Sequence, residues 1–496
     1  MVHNMAKQSV SVKHLPSLAY IYLMIPVLLF LIFWVTPIVS IPLSILVLFG
    51  VYRIIRKSTS LHLEIPVNRT KLYIMVFVIC LWVVGSGVGG IVWQNRWDHM
   101  YRNAIFHDLV QYDWPVINLQ GVEPRTLCYY IGFWLPSAAI GKLFGFQVGY
   151  FSQLLWACLG VVIAFLLLCE FVKKCSYKVL LIFIFYSGLD IIPYVLYGVR
   201  SSGFASVLSE LAAGAHLELT LSQFNSSSNT TLLFWLYNQT IPFWVGFLLL
   251  LRESSNRTRL FTFMLLLLFA PFPAFALAPL LAFQMIRGMI QQHRVAGLKG
   301  IAFLSDTLTV ENITGFIVSL VIALYFMGNA SAGKTQILPL DKATIVHFVL
   351  FFVFEFLVFL PFIFQKAKKD SVFWMLFGTM LVFSFVQMGE SYDFAWRTSI
   401  PAAFYVMILL LQSLPESKVP VWKKAALVLV LIIGAVTPMM EIVRTGEMTY
   451  ACYTGQTDDS LVSIGKTSVF DMQDDRFYTN FIGSNDSFFA KNLQRR

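Results

Sequence analysis

The densest group of reactive side chains in this 496-residue sequence lies between residues 93 and 115. In a helix, Asp98 and Arg102 are four residues apart and share one face. A carboxylate held in this way can act as a general base, a guanidinium can bind phosphate, and neighbouring imidazole or amide groups can bind sugar hydroxyls. The candidates from this stretch are Asp98 and Asp108 as catalytic residues, Arg102 as a phosphate ligand, and His99, Asn103 and His107 as substrate-binding residues.

The same stretch is also typical of an amphipathic helix at a membrane surface, with its Trp residues at headgroup level and its charges solvated. The pattern alone does not decide between the two interpretations. The number of acids, bases and aromatic rings in so few residues favours a functional site.

Two further segments carry polar side chains that are not explained as signals for the orientation of membrane helices. Charges in lipid are costly, so Glu390, Asp393 and Arg397 must face a cavity or pair with one another. Arg397 is a candidate phosphate ligand, and a structural ion pair of Asp393 with Arg397 is the alternative. The second segment contains Glu218, Asn229, Trp235 and Gln239 and leads into a hydrophobic run. Its hydroxyl, amide and indole groups suit sugar recognition, although a flexible loop followed by an aromatic belt explains them equally well. The substrate-binding candidates are Glu218, Asn229, Trp235 and Gln239 from the second segment, and Glu390 and Asp393 from the first.

The composition excludes a water-soluble protein. Hydrophobic residues make up 58%, charged residues only 12%, and the mean hydropathy is +0.72. The net charge of +10 comes from short Lys and Arg clusters between hydrophobic runs, which are topology signals, so no nucleic-acid partner is predicted. The six cysteines show no metal-ligand spacing, and the sequence contains no phosphate-binding loop, dinucleotide fingerprint or nucleophile elbow.

The hydrophobic runs and basic clusters predict an all-α, multi-pass protein of the cell membrane with about thirteen transmembrane helices. The N-terminus is predicted to be cytoplasmic and the C-terminus external. Because counting 129–146 as a span would place Lys173, Lys174 and Lys178 outside, this segment is predicted to lie in the outer interface or to dip back. The predicted organisation is a membrane domain (1–443), with external segments at 95–147, 200–232 and 389–399, and a short external tail (444–496). The predicted spans are 17–35, 37–53, 72–93, 148–171, 179–199, 233–251, 259–271, 273–290, 312–329, 343–365, 371–388, 400–414 and 424–443.

The arrangement resembles the GT-C superfamily of polyprenyl-phosphate-sugar-dependent glycosyltransferases. Asp98 to Val116 looks like the acidic first external loop of that superfamily, and Tyr129, Tyr130 and the stretch from Pro136 to Gly145 look like the interfacial helix that follows it. Further similarity to uncharacterised bacterial members lies in three short stretches, which are Ser226 to Thr231, Trp235 with Asn238 and Gln239, and Asp393 with Arg397, Ser399, Ile400 and Pro401.

The resemblance implies transfer of a sugar, with inversion, from a polyprenyl-phosphate donor in the membrane lipid to a glycan or other acceptor on the external face. It implies Asp98 as the base, Asp108 as the second candidate, and Arg397 on the leaving phosphate with Arg102 or Lys142 as helpers. Some members hold a divalent metal with paired carboxylates, but Asp98 has no acid two residues away, so no metal ligands are predicted and the cofactor, a divalent metal included, is left open.

Two other classes of function remain open. A transporter or flippase of a lipid-linked glycan would favour ionisable residues near the middle of the bilayer and broken helices, and the prolines between Pro271 and Pro279 are its best support. An accessory membrane subunit would use its external loops only to bind a partner, and would tolerate changes at Asp98, Arg102 and Arg397.

Overall fold

The structure is a computed structural model that describes residues 10–58, 64–65, 67–95, 98–119, 125–296, 304–331, 333, 335–389, 391–414, 420–457, 467–473 and 477–495. The described part of the chain is mostly helical. The α-helices are α1 (Leu15–Trp34), α2 (Pro37–Ser58), α3 (Arg69–Gly85), α4 (Asp98–Gln111), α5 (Leu135–Phe144), α6 (Phe146–Phe171), α7 (Tyr177–Phe185), α8 (Ile191–Ser202), α9 (Phe204–Ala212), α10 (Asn229–Arg252), α11 (Arg259–Leu267), α12 (Pro271–Ala296), α13 (Val310–Met327), α14 (Lys342–Glu355), α15 (Leu360–Ala367), α16 (Ser371–Phe383), α17 (Asp393–Thr398), α18 (Ile400–Ser413), α19 (Val421–Gly434), α20 (Val436–Tyr453) and α21 (Phe488–Asn492).

Within the described residues, nine helical stretches are long and apolar enough to cross a membrane. They confirm an all-α protein embedded in the membrane, and each overlaps one of the predicted spans. Two bounds differ, because Asp393–Ser413 begins inside the predicted external segment 389–399 and Val421–Tyr453 continues into the predicted tail. The stretches are Leu15–Trp34, Pro37–Lys57, Phe146–Phe171, Asn229–Arg252, Pro271–Arg294, Val310–Met327, Lys342–Ala367, Asp393–Ser413 and Val421–Tyr453.

The other four predicted spans form shorter helices, so the count of thirteen stays a prediction. Three of them are α3, α11 and α16, with 17, 9 and 13 residues. The run 179–199 is divided between α7 and α8 by a non-helical stretch at 186–190. In 129–146 the chain forms a 3-10 turn (Ile131–Phe133) and the ten-residue helix α5, which is too short to cross a bilayer.

Short antiparallel strands connect distant parts of the chain. Strand β1 (Val10–Ser11) pairs with β2 (Glu64–Ile65), and β5 (Thr335–Ile337) pairs with β6 (Val386–Met388). Strand β4 (Arg125–Leu127) lies between β3 (Ile117–Asn118) and β7 (Ile482–Gly483). The predicted domain boundary at 443 falls inside α20, and strand β7 belongs to the predicted tail, so the end of the chain folds onto the segment that follows α4.

Helix α10 forms much of the core, and it bends at a defined position. Leu236 has non-helical angles (φ −131°, ψ 28°), and Pro242 further along removes another helical hydrogen bond. Side chains pair two carbonyls next to the kink at Leu236, because Thr240 Oγ1 donates to the Leu232 carbonyl (3.1 Å) and His99 Nε2 donates to the Phe234 carbonyl (2.8 Å). The bend therefore holds α4 against the membrane core.

Candidate functional site

Two ion pairs form the centre of the candidate site. On α4, Arg102 Nη2 lies 3.4 Å from Asp98 Oδ1. On α17, Arg397 Nη2 lies 2.9 Å from Asp393 Oδ2. Each pair has the spacing of four residues expected for neighbours on one helix face. The ion pair of Asp393 with Arg397 that the sequence left as an alternative is therefore present.

The two pairs, which are almost three hundred residues apart in sequence, lie close together in space. Asp98 interacts electrostatically with Asp393 and Arg397 as well as with Arg102. Between them lies Tyr130, whose hydroxyl accepts a hydrogen bond from Arg397 Nη1 at 3.1 Å. We call Asp98, Arg102, Tyr130, Asp393 and Arg397 the charged cluster.

The acids and the arginines of the charged cluster differ in exposure. The Asp98 and Asp393 side chains are 38% and 31% exposed, whereas those of Arg102 and Arg397 are 4% and 6% exposed. Aromatic rings cover the arginines: Arg102 lies 5.4 Å from the centre of the Tyr237 ring, and Arg397 lies 5.8 Å from the rings of Tyr130 and Phe272. The two carboxylates are therefore accessible, whereas the two guanidinium groups are buried behind them.

The arginines of the charged cluster are incompletely paired. A guanidinium carries five N–H donors. Among the described residues, Arg102 Nε and Nη1 and Arg397 Nε have no hydrogen-bond partner, although all three atoms are buried. Buried unpaired donors are costly, and an anion with several oxygens would satisfy them.

An apolar cavity of about 560 Å³ opens beside the charged cluster. Its volume falls within the range of small-molecule sites, roughly 300 to 1,000 Å³. Rings and aliphatic side chains of α11, α12 and α13 form about half of its wall, while Tyr130, Asn329, Ser391, Asp393 and Asn480 add polar groups. A ligand with a long apolar part and an anionic head would match this division.

The environment of Asp98 favours proton uptake. Although part of its surface is open, the surrounding protein raises the pKa of the Asp98 carboxyl above its usual value, while Arg102 and Arg397 oppose that rise. A general base is most effective when its pKa lies near the working pH, so the direction of this shift suits Asp98 to that role.

The other sequence candidates on α4 hold the helix in place. His99 is buried, and desolvation, followed by the charge of Arg102, lowers its pKa to about 3, so its ring is neutral and donates from Nε2. Asn103 donates to Gln94 Oε1 (3.0 Å) and accepts from Tyr150 Oη (3.0 Å). His107 Nδ1 lies 2.9 Å from Asp108 Oδ1.

Asp108, the second candidate base, is wholly buried at a distance from the charged cluster. Its Oδ2 accepts from Ser468 Oγ (3.0 Å) and from the Val469 amide (2.9 Å), while Oδ1 contacts His107. Both of its oxygens are engaged by other protein groups. This geometry makes Asp108 the anchor of the C-terminal segment and leaves Asp98 as the candidate base.

Lys142, the proposed phosphate helper, lies at the opposite end of α4. Its Nζ donates to the Tyr112 carbonyl and lies 5.6 Å from the centre of the Trp114 ring. Helix α4 has 14 residues and is therefore about 20 Å long. The structure thus separates Lys142 from Asp98 by roughly the length of the helix, so the two do not meet at one phosphate.

The remaining candidates lie outside the charged cluster as well. Glu218 accepts from the Ser228 amide (2.8 Å), Asn229 donates to the Phe183 carbonyl (2.8 Å) and Trp235 donates to Glu441 Oε2 (2.9 Å). Gln239 is buried, and neither its amide nitrogen nor its oxygen is paired within the described residues. Glu390 falls outside the described residues.

Within the parts of the chain that the structure describes, no three His, Cys, Asp or Glu side chains are placed to hold a metal ion. The charged cluster itself contains two carboxylates and two arginines. Cationic side chains within the cluster disfavour a bound cation, so these residues do not fit a divalent-metal site, and no step below uses one.

The structure adds residues that the sequence did not single out as ligands. Tyr130 bridges to Arg397, and Tyr129 stacks on Tyr130 with ring centres 3.9 Å apart. Two consecutive tyrosines just before the short helix α5 are a usable signal. Asn480 carries no such signal, because only the folding of the chain end brings it to the cavity.

No known protein family, curated protein or solved structure matches this chain.

Proposed function

We propose that this chain is a membrane glycosyltransferase that moves a sugar from a polyprenyl-phosphate carrier to a glycan or other acceptor on the non-cytoplasmic face. One observation carries the proposal: an apolar cavity is lined by Tyr130 and Asp393, which both bind Arg397, and the buried Arg397 and Arg102 of the same cluster are incompletely paired. The cavity suits the polyprenyl chain and the arginines suit its phosphate.

In the proposed reaction Asp98 accepts the proton of the acceptor hydroxyl. The acceptor oxygen forms a bond to the anomeric carbon from the face opposite the phosphate, and the bond between that carbon and the phosphate oxygen breaks. The electron pair leaves with the carrier phosphate, whose charge Arg397 and Arg102 stabilise. The products are an inverted glycoside, the polyprenyl phosphate and a protonated Asp98.

The test compares Asp98→Asn with Asp113→Asn in the purified full-length protein. Asp113 is an exposed carboxylate beyond the other end of α4, which makes it a matched control for the loss of charge. With a panel of polyprenyl-phosphate sugars, we expect Asp98→Asn to slow release of carrier phosphate by about 100-fold or more, since general base catalysis contributes that much. Equal thermal unfolding of both variants shows intact folding. Normal turnover by Asp98→Asn removes the proposal.

A second function, transport of a lipid-linked glycan, is favoured by a different observation. Where the chain is broken between α7 and α8, Asp190 Oδ2 accepts from Ser187 Oγ and Thr437 Oγ1, both at 3.1 Å. Its carboxyl also lies next to that of Glu355 on α14. Broken helices and buried acids near the bilayer interior are features of transporters.

Reconstituted vesicles distinguish the two functions. Movement of a polyprenyl-phosphate sugar across the vesicle membrane without cleavage of the sugar bond, lost in Glu355→Leu and kept in Asp98→Asn, supports transport. Cleavage that depends on Asp98 supports the transferase.

A further inference from the structure

The last part of the chain forms part of the cavity wall. We use the term C-terminal segment for the described residues 467–473 and 477–495. Asn480 lines the cavity together with Ser391 and Asp393. Its Oδ1 lies 3.9 Å from the position that a β-carbon on Gly389 would occupy, so the side chain points towards the rim on which Asp393 lies.

The C-terminal segment is fixed on both sides of Asn480. Before it, Ser468 and Val469 bind the buried carboxylate of Asp108. After it, strand β7 pairs with β4, and Ser484 donates from its amide to the Gly328 carbonyl at 2.8 Å. The position of residue 480 is therefore set by contacts with three separate parts of the membrane domain.

The backbone of Asn480 is held, whereas its side chain is left available. Asn329 Nδ2 donates to the Asn480 carbonyl at 2.9 Å and to the Cys128 carbonyl at 2.8 Å. The side-chain amide of Asn480 makes no hydrogen bond with the described part of the chain. It is also only partly buried, so a ligand in the cavity can reach it.

A continuous stack of rings joins this position to the charged cluster. Phe481 lies against Tyr129 with ring centres 4.8 Å apart, and Tyr129 lies 3.9 Å from Tyr130. Tyr130 in turn accepts a hydrogen bond from Arg397. Asn480, which precedes Phe481, lines the same cavity as Tyr130 and Asp393, the two residues that bind Arg397.

We propose that the side-chain amide of Asn480 donates a hydrogen bond to the phosphate of the polyprenyl carrier, so that the C-terminal segment supplies a ligand-contacting residue to the site. This inference rests on the proposed function. An amide is neutral and can donate two hydrogen bonds, which complements phosphate oxygens beside a guanidinium. A carboxylate in the same place would repel the phosphate.

The test measures the dissociation constant of a polyprenyl monophosphate for the purified full-length protein in detergent. We expect Asn480→Ala to weaken binding by about tenfold or more, the effect of a lost hydrogen bond to a charged group, and Asn480→Asp to weaken it further because the new carboxylate repels the phosphate. Asn492→Asp is the matched control, because Asn492 lies in the same segment but is exposed and donates to the Phe488 carbonyl on α21. We expect its binding to be unchanged.

Two comparisons keep the outcomes separate. The uncharged polyprenol must bind equally to the wild type and the Asn480 variants, since the proposed contact is with the phosphate. If Arg397→Gln weakens phosphate binding and both Asn480 variants do not, the inference is overturned while the proposed function stands. If Arg397→Gln has no effect either, the proposed function itself fails. Should Asn480→Asp unfold, Asn480→Ala decides the question.

Discussion

Replacing Arg397 with lysine tests the phosphate site most directly, because this change keeps the charge and alters only the geometry. Arg397 uses Nη2 for Asp393 (2.9 Å) and Nη1 for the Tyr130 hydroxyl (3.1 Å), which leaves Nε unpaired within the described residues. A lysine ammonium presents its donors from a single point and cannot span these directions. A bound phosphate therefore loses one charge-assisted hydrogen bond.

The size of the effect follows from that count. A hydrogen bond to a charged group contributes about 1.5 to 3 kcal/mol. Each 1.4 kcal/mol is tenfold in affinity, so Arg397→Lys should weaken binding of a polyprenyl monophosphate by about 10- to 150-fold. Lysine keeps a positive charge next to Asp393, so the fold should survive.

The assay is equilibrium binding to the purified protein, with thermal unfolding measured in parallel. Arg257→Lys is the matched control, since Arg257 makes a partly exposed ion pair with Asp306 (3.0 Å), and surface pairs of this kind contribute about 0 to 1 kcal/mol. A dissociation constant for Arg397→Lys within about twofold of the wild type would refute the reasoning, because the geometry of the guanidinium would then be irrelevant to binding.

We expect the buried side chains of His99 and Glu218 to make the stability of the protein depend on pH in opposite directions. Burial lowers the pKa of His99 to about 3. Below the ordinary imidazole pKa of 6.5 the unfolded chain therefore binds a proton that the folded protein does not. Acidification from pH 6.5 to 5 should thus lower the free energy of unfolding by about 2 kcal/mol. This loss should be absent in His99→Gln when unfolding is followed by circular dichroism, and an equal acid dependence in both proteins would contradict it. The pKa of Glu218 is raised to about 8, first by burial and then by the charges of Asp190 and Glu441. The contribution of this group to the free energy of unfolding is therefore largest below about pH 4.5 and falls as the pH rises towards 8. Glu218→Gln should therefore unfold at a higher temperature than the wild type at pH 8, with no such gain at pH 4.5, and a wild-type midpoint at both pH values would exclude this explanation.

Local spacing was the part of the site that could be predicted from the sequence. The separation of four residues placed Asp98 beside Arg102 and Asp393 beside Arg397, and both pairs are found. The orientation of the basic clusters led to the prediction that the two segments lie on one face, and they are close in the structure.

Contacts between distant segments could not be read in this way. Asp108 looks like a second catalytic acid in the sequence, yet it binds Ser468 and Val469, which lie some 360 residues further along the chain. The hydrophobic run 179–199 has the length of a span, but Asp190 finds its partners on α14 and α20 and the helix is interrupted there. Hydrophobic periodicity records how each helix faces its surroundings, and it holds no information about which polar groups meet across helices.

The energetics of the two arginines argue for a ligand rather than for stability. Removing a guanidinium from water costs several kcal/mol, and a buried ion pair is often no more stable than well-packed apolar residues of similar size. Arg102 and Arg397 bear that cost with one carboxylate each, and three of their buried nitrogen atoms remain unpaired within the described residues. Packing alone would be served better by apolar side chains at both positions. A phosphate bound at the mouth of the cavity would supply the missing acceptors, and this is why the incomplete pairing, more than the ion pairs themselves, supports the proposed donor site.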